Sequence, residues 1–504
     1  MQELLSFLYE TMWWAWIFMF LAILAIRDVL QRKHTISHNY PVIGHIRYMF
    51  EKIGPEIRQY FIANNREELP FNRRERSWIY ASAKTENNYQ GFGSDQDFYS
   101  TNYHFLKPDM FPFRVDESHV SFKDPSFLPC AKVMGLANGR QRPFRPKSVL
   151  NVSAMSFGSL SANAIQSLNK GAHKAGAYHN TGEGGLSPYH SNGADVVFHF
   201  GTGYFGVRSE EGSLDLDKLE KLVENNQFVR AIEVKLSQGA KPGKGGVLPG
   251  KKITAEIAAI RGVEIGKDVL SPASHKCFST LDEMLDVIED IAKRTGLPVG
   301  IKSAIGKTAM WEELADKMVE RGTGAAPPSF ADHVSLPFFN GFALVYKIFQ
   351  KRNLSERIVF VASGKLGLPA NAARAFAMGA DVINVAREAM MSIGCIQAQV
   401  CHTNTCPSGV ATQSKWLQAG IDPTLKSERF YNYVRYFRKE LLELTHASGY
   451  EHPCQYSLDD VESNTDDKSQ ISTLEEIYGY TKSKVSYTSL EDLAACPYLG
   501  GQHN

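Results

Sequence analysis

Apolar residues fall into two textures along this chain. From Leu4 to Ile26 they form one nearly unbroken block, interrupted only by Glu10 and free of charge from Thr11 onward (TMWWAWIFMFLAILAI). Wound as a helix, such a block is long enough to cross a hydrocarbon core of ~30 Å at ~1.5 Å per residue. From Ser148 onward the apolar residues come instead in short β-branched runs separated by Ala-rich stretches of helical period, which is the pattern of repeated βα units. Strands are predicted at Val149–Met155, Ala177–Thr181, Asp195–Phe200, Val229–Lys235, Pro298–Ser303, Arg357–Ser363 and Asp381–Val385, with helices between them such as Ala162–Ala175, Leu281–Thr295 and Ala370–Met378. Parallel strands with helical crossovers favour an α/β fold of the (β/α)₈ TIM-like barrel type, whose chemistry sits on loops at the C-terminal ends of the strands. A doubly wound open sheet is the competing arrangement.

Between the two textures, residues 27–147 are mixed and rich in aromatics and arginine, with turn signals at Asn39-Tyr40-Pro41 and Gly91-Phe92-Gly93. This stretch reads as an α-rich N-terminal cap. Past His446 the chain turns polar, and a loosely packed extension is expected, partly helical near Thr473–Tyr478. The expected organisation is a transmembrane helix over 4–26, the cap over 27–147, the barrel over 148–446 and the extension over 447–504. Arg27, Arg32 and Lys33 follow the apolar block while Glu3 and Glu10 precede it, so the positive-inside tendency predicts a single-pass inner-membrane protein with its body in the cytoplasm. Neither a basic n-region nor a small-residue cleavage site marks the block as a signal peptide. Charge is balanced at 55 Lys+Arg against 54 Asp+Glu, which disfavours nucleic acid as a partner.

Cysteine usage points to chemistry. The count is odd, at 7, and Cys395, Cys401 and Cys406 crowd into IGCIQAQVCHTNTCPSGVATQ while the rest are scattered, which suits a metal site in a reducing compartment better than a disulfide framework. Three thiolates within a dozen residues can converge on one soft centre: an iron–sulfur cluster, or zinc with His402 as a fourth ligand, although His402 abuts Cys401 and lacks finger spacing. Packed free thiols are the structural alternative. A second signal is a pair of elements able to hold phosphate, Ala362-Ser363-Gly364-Lys365-Leu366 after one strand and Gly379-Ala380-Asp381 with Arg387 around the next, because late βα loops of a barrel present free N–H groups to an anion. A third is the segment from Lys235 to Gly246, whose glycines let backbone approach a ligand and whose Lys235, Gln238 and Lys241 offer donors. Thr181-Gly182-Glu183-Gly184-Gly185 opens similarly around one carboxylate, Glu183, which is an acid/base group or the counter-ion of a lysine.

Together these segments closely resemble the FMN-binding synthase domain of glutamate synthases, from about Ser148 to Gln413. The matching stretches are SAMSFGSLS at Ser153–Ser161, TGEGG at Thr181–Gly185, KLSQGAKPGKGGVLPG at Lys235–Gly250 and the cysteine segment. The apolar block followed by HNYPVIGHIRYMFEKIGPEIRQYF is similar to stand-alone, membrane-linked bacterial members. The resemblance implies a barrel holding FMN, with a [3Fe-4S] cluster on Cys395, Cys401 and Cys406. It implies electrons entering through the cluster, from ferredoxin or a partner flavoprotein, and hydride delivery to 2-iminoglutarate formed from 2-oxoglutarate and ammonia. By motif position Ser153, Ala154, Met155, Ser156, Lys235, Ser363, Gly364, Lys365, Gly379 and Arg387 are implied near the flavin and its phosphate, and Glu183, Gln238, Lys241 and Arg261 near the oxo-acid. No G-x-G-x-x-G follows a strand, so direct use of a nicotinamide cofactor is not expected.

Two departures qualify the resemblance. Full-length glutamate synthases open on a glutaminase whose nucleophile is the first cysteine, whereas no cysteine precedes Cys130 here, so the expectation is ammonia from solution, ammonia from a partner, or a different substrate such as a related oxo or amino acid. At Glu320-Arg321-Gly322-Thr323-Gly324-Ala325-Ala326-Pro327 the family usually has a further strand ending in Asp-Gly-Gly, and here the helix runs straight into RGTGAAPP. A barrel that has lost one strand near residues 320–325 must open or recruit another segment, because strand number, shear and tilt are linked. The competing functions are another FMN barrel oxidoreductase, such as a 2-hydroxy-acid oxidase, and a membrane-tethered barrel inactivated by the loss.

Overall fold

The computed structural model describes residues 2–31, 34–236, 246–305, 308–315, 336–465 and 470–495, with side chains from Trp13 onward. The chain divides into two compact units, Met1–Arg76 and Ser77–Asn504. The division falls within the stretch that the sequence reads as one cap.

In the first unit, helix α1 runs from Gln2 to Leu30. Its segment Trp13–Leu30 has a mean hydropathy of 1.7 and is only 6% buried, so it is long and apolar enough to cross a membrane. At its C-terminal end the buried Asp28 accepts hydrogen bonds from Val42 N at 2.9 Å and His45 Nε2 at 2.8 Å. These bonds fold the helix Gly44–Ile57 back against the end of α1.

The second unit is built on a parallel sheet whose strands coincide with the seven predicted runs: β1 (Leu150–Val152), β2 (His179–Asn180), β3 (Val196–Phe200), β4 (Val229–Lys235), β5 (Val299–Lys302), β6 (Val361–Ala362) and β7 (Val382–Val385). Every residue of β1, β3 and β7 is buried, as expected of strands covered on both faces. The spatial order is β5-β4-β3-β2-β1-β7-β6. Because β1 pairs with β7, Leu150 opposite Ile383 and Val152 opposite Val385, the sheet curls round on itself in barrel order. Crossover helices are capped as their sequences dictate: Ser161 accepts from Ala164 N at the start of Ala162–Ala175, and Thr280 forms a capping box with Glu283 at the start of Leu281–Thr295. The long helix Pro423–Ala447 lies against Ala162–Ala175, where Gly171 is required because a Cβ there would sit 2.6 Å from Ser427 O.

Closure stops at one seam. Among the described residues, β5 and β6 are the two ends of the sheet and do not pair with each other. The eight-stranded expectation is therefore met by seven strands in barrel order with one place open. The segment around 320–325, where the sequence implies a lost strand, lies outside the described residues. A cavity of about 120 Å³ sits at the seam, lined by Val299, Gly300 and Ile301 from β5, Val359 and Val361 beside β6, and Glu233.

The extension past His446 corrects the expectation of loose packing. Val461–Asn464 pairs antiparallel with both His104–Leu106 and Ile471–Thr473, and Tyr456, Leu458, Val461, Leu474 and Leu490 are buried. Its polar surface residues conceal this on sequence. Lys482 Nζ, spent on the carbonyls of Phe376, Cys454 and Tyr456, fastens it to the barrel. His119, Glu451 and Glu491 meet in the same region. Ser121 N donates to His119 Nδ1, so the ring is neutral with its proton on Nε2, which donates to Glu451 and clamps the extension by a hydrogen bond.

Candidate active site

Seven strand ends point their following loops to one side of the sheet, and the sequence-predicted residues gather there. After β1, Ser153 is 1% exposed and its Oγ has no hydrogen-bond partner among the described residues. Ala154 and Met155 continue the turn, with Met155 N bonded to Asn180 O at 3.3 Å. Ser156 Oγ contacts Ser159 Oγ at 3.0 Å and receives Arg261 Nη2 at 3.2 Å. Arg261 also donates to Phe157 O at 3.0 Å and lies over the Phe205 ring at 5.3 Å. It is 3% exposed, and burial lowers its pKa to about 10.

Glu183, from the loop after β2, forms an ion pair with Lys235 at the end of β4. Burial alone would raise the Glu183 carboxyl, but the charge and hydrogen bond of Lys235 carry it below the usual carboxylate range. Gly201 is needed beside the pair, since a Cβ there would fall 2.7 Å from Glu183 Oε1 and 2.9 Å from Lys235 Cε. His275 Nε2 donates to Lys235 O at 2.9 Å while its Nδ1 meets Tyr204 OH at 2.9 Å, so the end of β4 is braced from the next segment. Gln238 and Lys241 lie outside the described residues.

After β6, Ser363, Gly364 and Lys365 form a tight loop in which Lys365 has φ +61°, a conformation costly for a side-chain-bearing residue. Lys365 and Arg387, which follows β7, both act electrostatically on the buried carboxyl of Glu388. Two cations thus converge on adjacent strand ends. Gly379 does not join them. It precedes β7 at the opposite end of the sheet, where a Cβ would fall 2.2 Å from the Tyr346 ring, so it serves packing rather than an anion. The glycine–alanine–aspartate sequence resembles a ligand turn, but Asp381 there accepts from Lys132 Nζ at 3.0 Å and Phe360 N at 2.8 Å.

Cys395, Cys401 and Cys406 are free thiols in one bend after β7. Cys401 is exposed and Cys406 buried. Burial, with the neighbouring Cys401 and Cys406 adding to it, pushes the Cys395 thiol up to about 12. The bend is held by positive φ at Gln397, Gln399 and Asn404 and by Tyr80 OH donating to Cys395 O at 2.9 Å. Three thiols gathered on one bend are a donor set suited to a soft metal centre. Beside them Lys252, 2% exposed, donates to Ser159 O and Ala411 O at 2.9 Å each, joining the β1 loop to the cysteine bend.

Sequence motifs did not single out Lys252, nor a buried polar group inside the sheet. Glu233 of β4 accepts from His199 Nδ1 at 2.6 Å, Asn180 Nδ2 at 2.8 Å and Lys302 Nζ at 2.9 Å. The available signal was two charges, Glu233 and Lys235, at strand spacing in an otherwise apolar run.

A family profile described as the conserved region in glutamate synthase matches residues 108–451. The chain belongs to the glutamate synthase family. It is 39% identical over 501 residues to the glutamate synthase large subunit-like protein YerD of Bacillus subtilis (strain 168), covering 91% of this chain and 94% of that one. It is 34% identical over 317 residues to the archaeal glutamate synthase [NADPH] of Methanocaldococcus jannaschii, covering 59% of this chain and 58% of the relative. Among solved structures, mandelate oxidase with (S)-4-hydroxymandelic acid is 14% identical with a TM-score of 0.42, covering 69% of this chain and 84% of that one. Membership in the glutamate synthase family makes the chain an oxidoreductase of that type.

Proposed function

We propose that this glutamate synthase-type oxidoreductase carries FMN at the strand ends and a [3Fe-4S] cluster on Cys395, Cys401 and Cys406, and reduces 2-iminoglutarate, from 2-oxoglutarate and ammonia, to L-glutamate. The observation that carries the reading is the convergence of Lys365 and Arg387 on one side of a buried Ser153 hydroxyl that has no partner among the described residues, with the Glu183–Lys235 pair on the other. Ser153 to Ser156, Ser363, Gly364, Lys365 and Arg387 would hold the flavin and its phosphate, and Lys235 would present a cation to it. When bound, the flavin supplies hydride transfer and the cluster single-electron delivery. Arg261 gives a fork for a carboxylate of the oxo-acid, and its Nε has no partner among the described residues. Ionised Glu183 complements the positive charge of an iminium carbon–nitrogen bond. Gln238 and Lys241 complete the proposed substrate set.

Ammonia would come from solution or from a partner, electrons from ferredoxin or a partner flavoprotein. The apolar segment Trp13–Leu30, followed by Arg32 and Lys33, supports a single-pass inner-membrane anchor with the body in the cytoplasm. Among the described residues β5 and β6 do not pair with each other, which favours one other reading, a tethered barrel that does not turn over. Anaerobic reconstitution with quantification of flavin, iron and sulfide, followed by assay with 2-oxoglutarate, ammonia and a reduced donor, separates the two. Protein that takes up neither group refutes the first.

A further inference from the structure

Lys235 and Lys302 are direct Cα partners on the parallel strands β4 and β5, and both are at least 96% buried, since they are 4% and 1% exposed. Like charges placed opposite each other in a dry interior repel strongly. Each is therefore matched by one carboxylate: Glu183 from above at Lys235, and Glu233 from two residues back along β4 at Lys302. His199, the Cα partner of Glu233 on β3, stays neutral because burial lowers its pKa to about 4. Its Nδ1 and Asn180 Nδ2 occupy the same carboxylate oxygen as Lys302. Among the described residues these two cations and two anions alternate through the interior, with the Glu183–Lys235 pair at the strand ends.

We propose that Glu233 and Lys302 are positioning residues of the redox site: one layer beneath the groups that would touch the flavin, they fix the net charge under Lys235 and hence the charge presented to the flavin ring. This rests on the proposed binding of FMN. Glu233 is held by three donors from three strands, so its charge is pinned in place rather than free to relax toward solvent. Removing it leaves Lys302 as an unbalanced cation beside Lys235, which favours the electron-rich reduced flavin. Removing Lys302 leaves an unbalanced anion and has the opposite effect.

The test is the midpoint potential of bound FMN in the intact chain and in Glu233→Gln, Lys302→Met and the double variant. An upward shift in the first, a downward shift in the second and a return toward the parent value in the third are expected. Shifts of equal sign, or none, in protein that holds stoichiometric FMN overturn the proposal. Thermal unfolding of the same set without flavin, with Lys235→Met and Lys235→Met/Glu233→Gln added, supplies the second measurement. If the parent takes up no FMN, the functional reading fails, and the unfolding data decide the charge coupling by themselves. A Glu233→Gln loss that shrinks when Lys235 is also removed sustains it, and an equal loss in both backgrounds overturns it.

Discussion

Arg261 Nη2 lies 3.2 Å from Ser156 Oγ and 3.0 Å from Phe157 O, so one buried guanidinium ties the helix Ala255–Arg261 to the loop that follows β1. A lysine would retain the charge but lose the planar fork that allows one group to hold this loop and a substrate carboxylate at once. Hydrogen bonds to charged groups contribute about 1.5–3 kcal/mol, so Arg261→Lys is expected to lower kcat/KM for the oxo-acid roughly 10- to 100-fold. Steady-state kinetics on folded, flavin-loaded protein check this. Parent-like kcat/KM in Arg261→Lys would remove Arg261 from substrate binding.

Stability should fall in acid in two steps. Burial lowers the His199 pKa to about 4 from the ordinary 6.5, so its neutral form contributes stability that is present above pH 6.5 and drains away as pH falls toward 4. Burial would raise the Glu233 carboxyl, but Lys302 and His199 hold it down at about 2, so its share is intact above the ordinary 4.5 and is lost as pH falls from there toward 2. Unfolding midpoints measured from pH 7 to pH 3 should go on falling below pH 4 in the parent and level off there in Glu233→Gln. A Glu233→Gln curve parallel to the parent's below about pH 4 contradicts the assignment.

Strand positions were legible because β-branched runs such as Val196–Phe200 and Val382–Val385 have no other way to bury both faces. The placement of Glu183, Lys235, Ser363 and Arg387 at strand ends was legible, since the topology brings every such end to one side. Gly379 misled because a glycine before a strand and a glycine after one have the same local composition, and only chain direction places it at the far end beside Tyr346. Glu233, His199 and Lys302 were missed because their partners are 34 and 69 residues away, on other strands. Register, not motif, makes them neighbours. The packed extension was hidden for a related reason: Lys482 and Tyr480 look like surface residues until the carbonyls of Phe376 and Met378 are found opposite them.

The cysteine bend makes a prediction about metal content. Cys401 is exposed and Cys454 is buried away from the bend, so Cys401→Ser and Cys454→Ala separate a ligand from a packing thiol. Iron per protein after anaerobic reconstitution is expected to collapse in the first and hold in the second, because a serine hydroxyl does not replace a soft thiolate. Equal iron in both variants would count against a cluster on these three residues.

At the seam, hydrogen exchange should report the missing neighbour. Among the described residues, β1 and β2 have hydrogen-bonded strands on both sides, whereas β5 and β6 each have one. Amides of Val299–Lys302 and Val361–Ala362 are therefore expected to exchange faster than those of Leu150–Val152, since edge strands open at lower cost than central ones. Mass spectrometry of the deuterated peptides measures this directly. Equal protection across all seven strands would mean that the seam is closed in solution by another segment.

The apolar stretch Trp13–Leu30 should decide where the protein goes. Its side chains, including Trp13, Trp14 and Trp16 at 59–63% exposure, have almost no protein to pack against. Left in water they would cost about 25 cal/mol per Å² of apolar surface, which a bilayer removes. The full chain is thus expected to pellet with membranes and resist extraction by alkaline carbonate. A variant lacking residues 2–30 should stay in the supernatant with its melting transition unchanged, because the barrel unit Ser77–Asn504 carries its own core. If the full chain were released by carbonate as readily as the truncated one, the helix would lie on a surface or against a partner protein rather than across a bilayer.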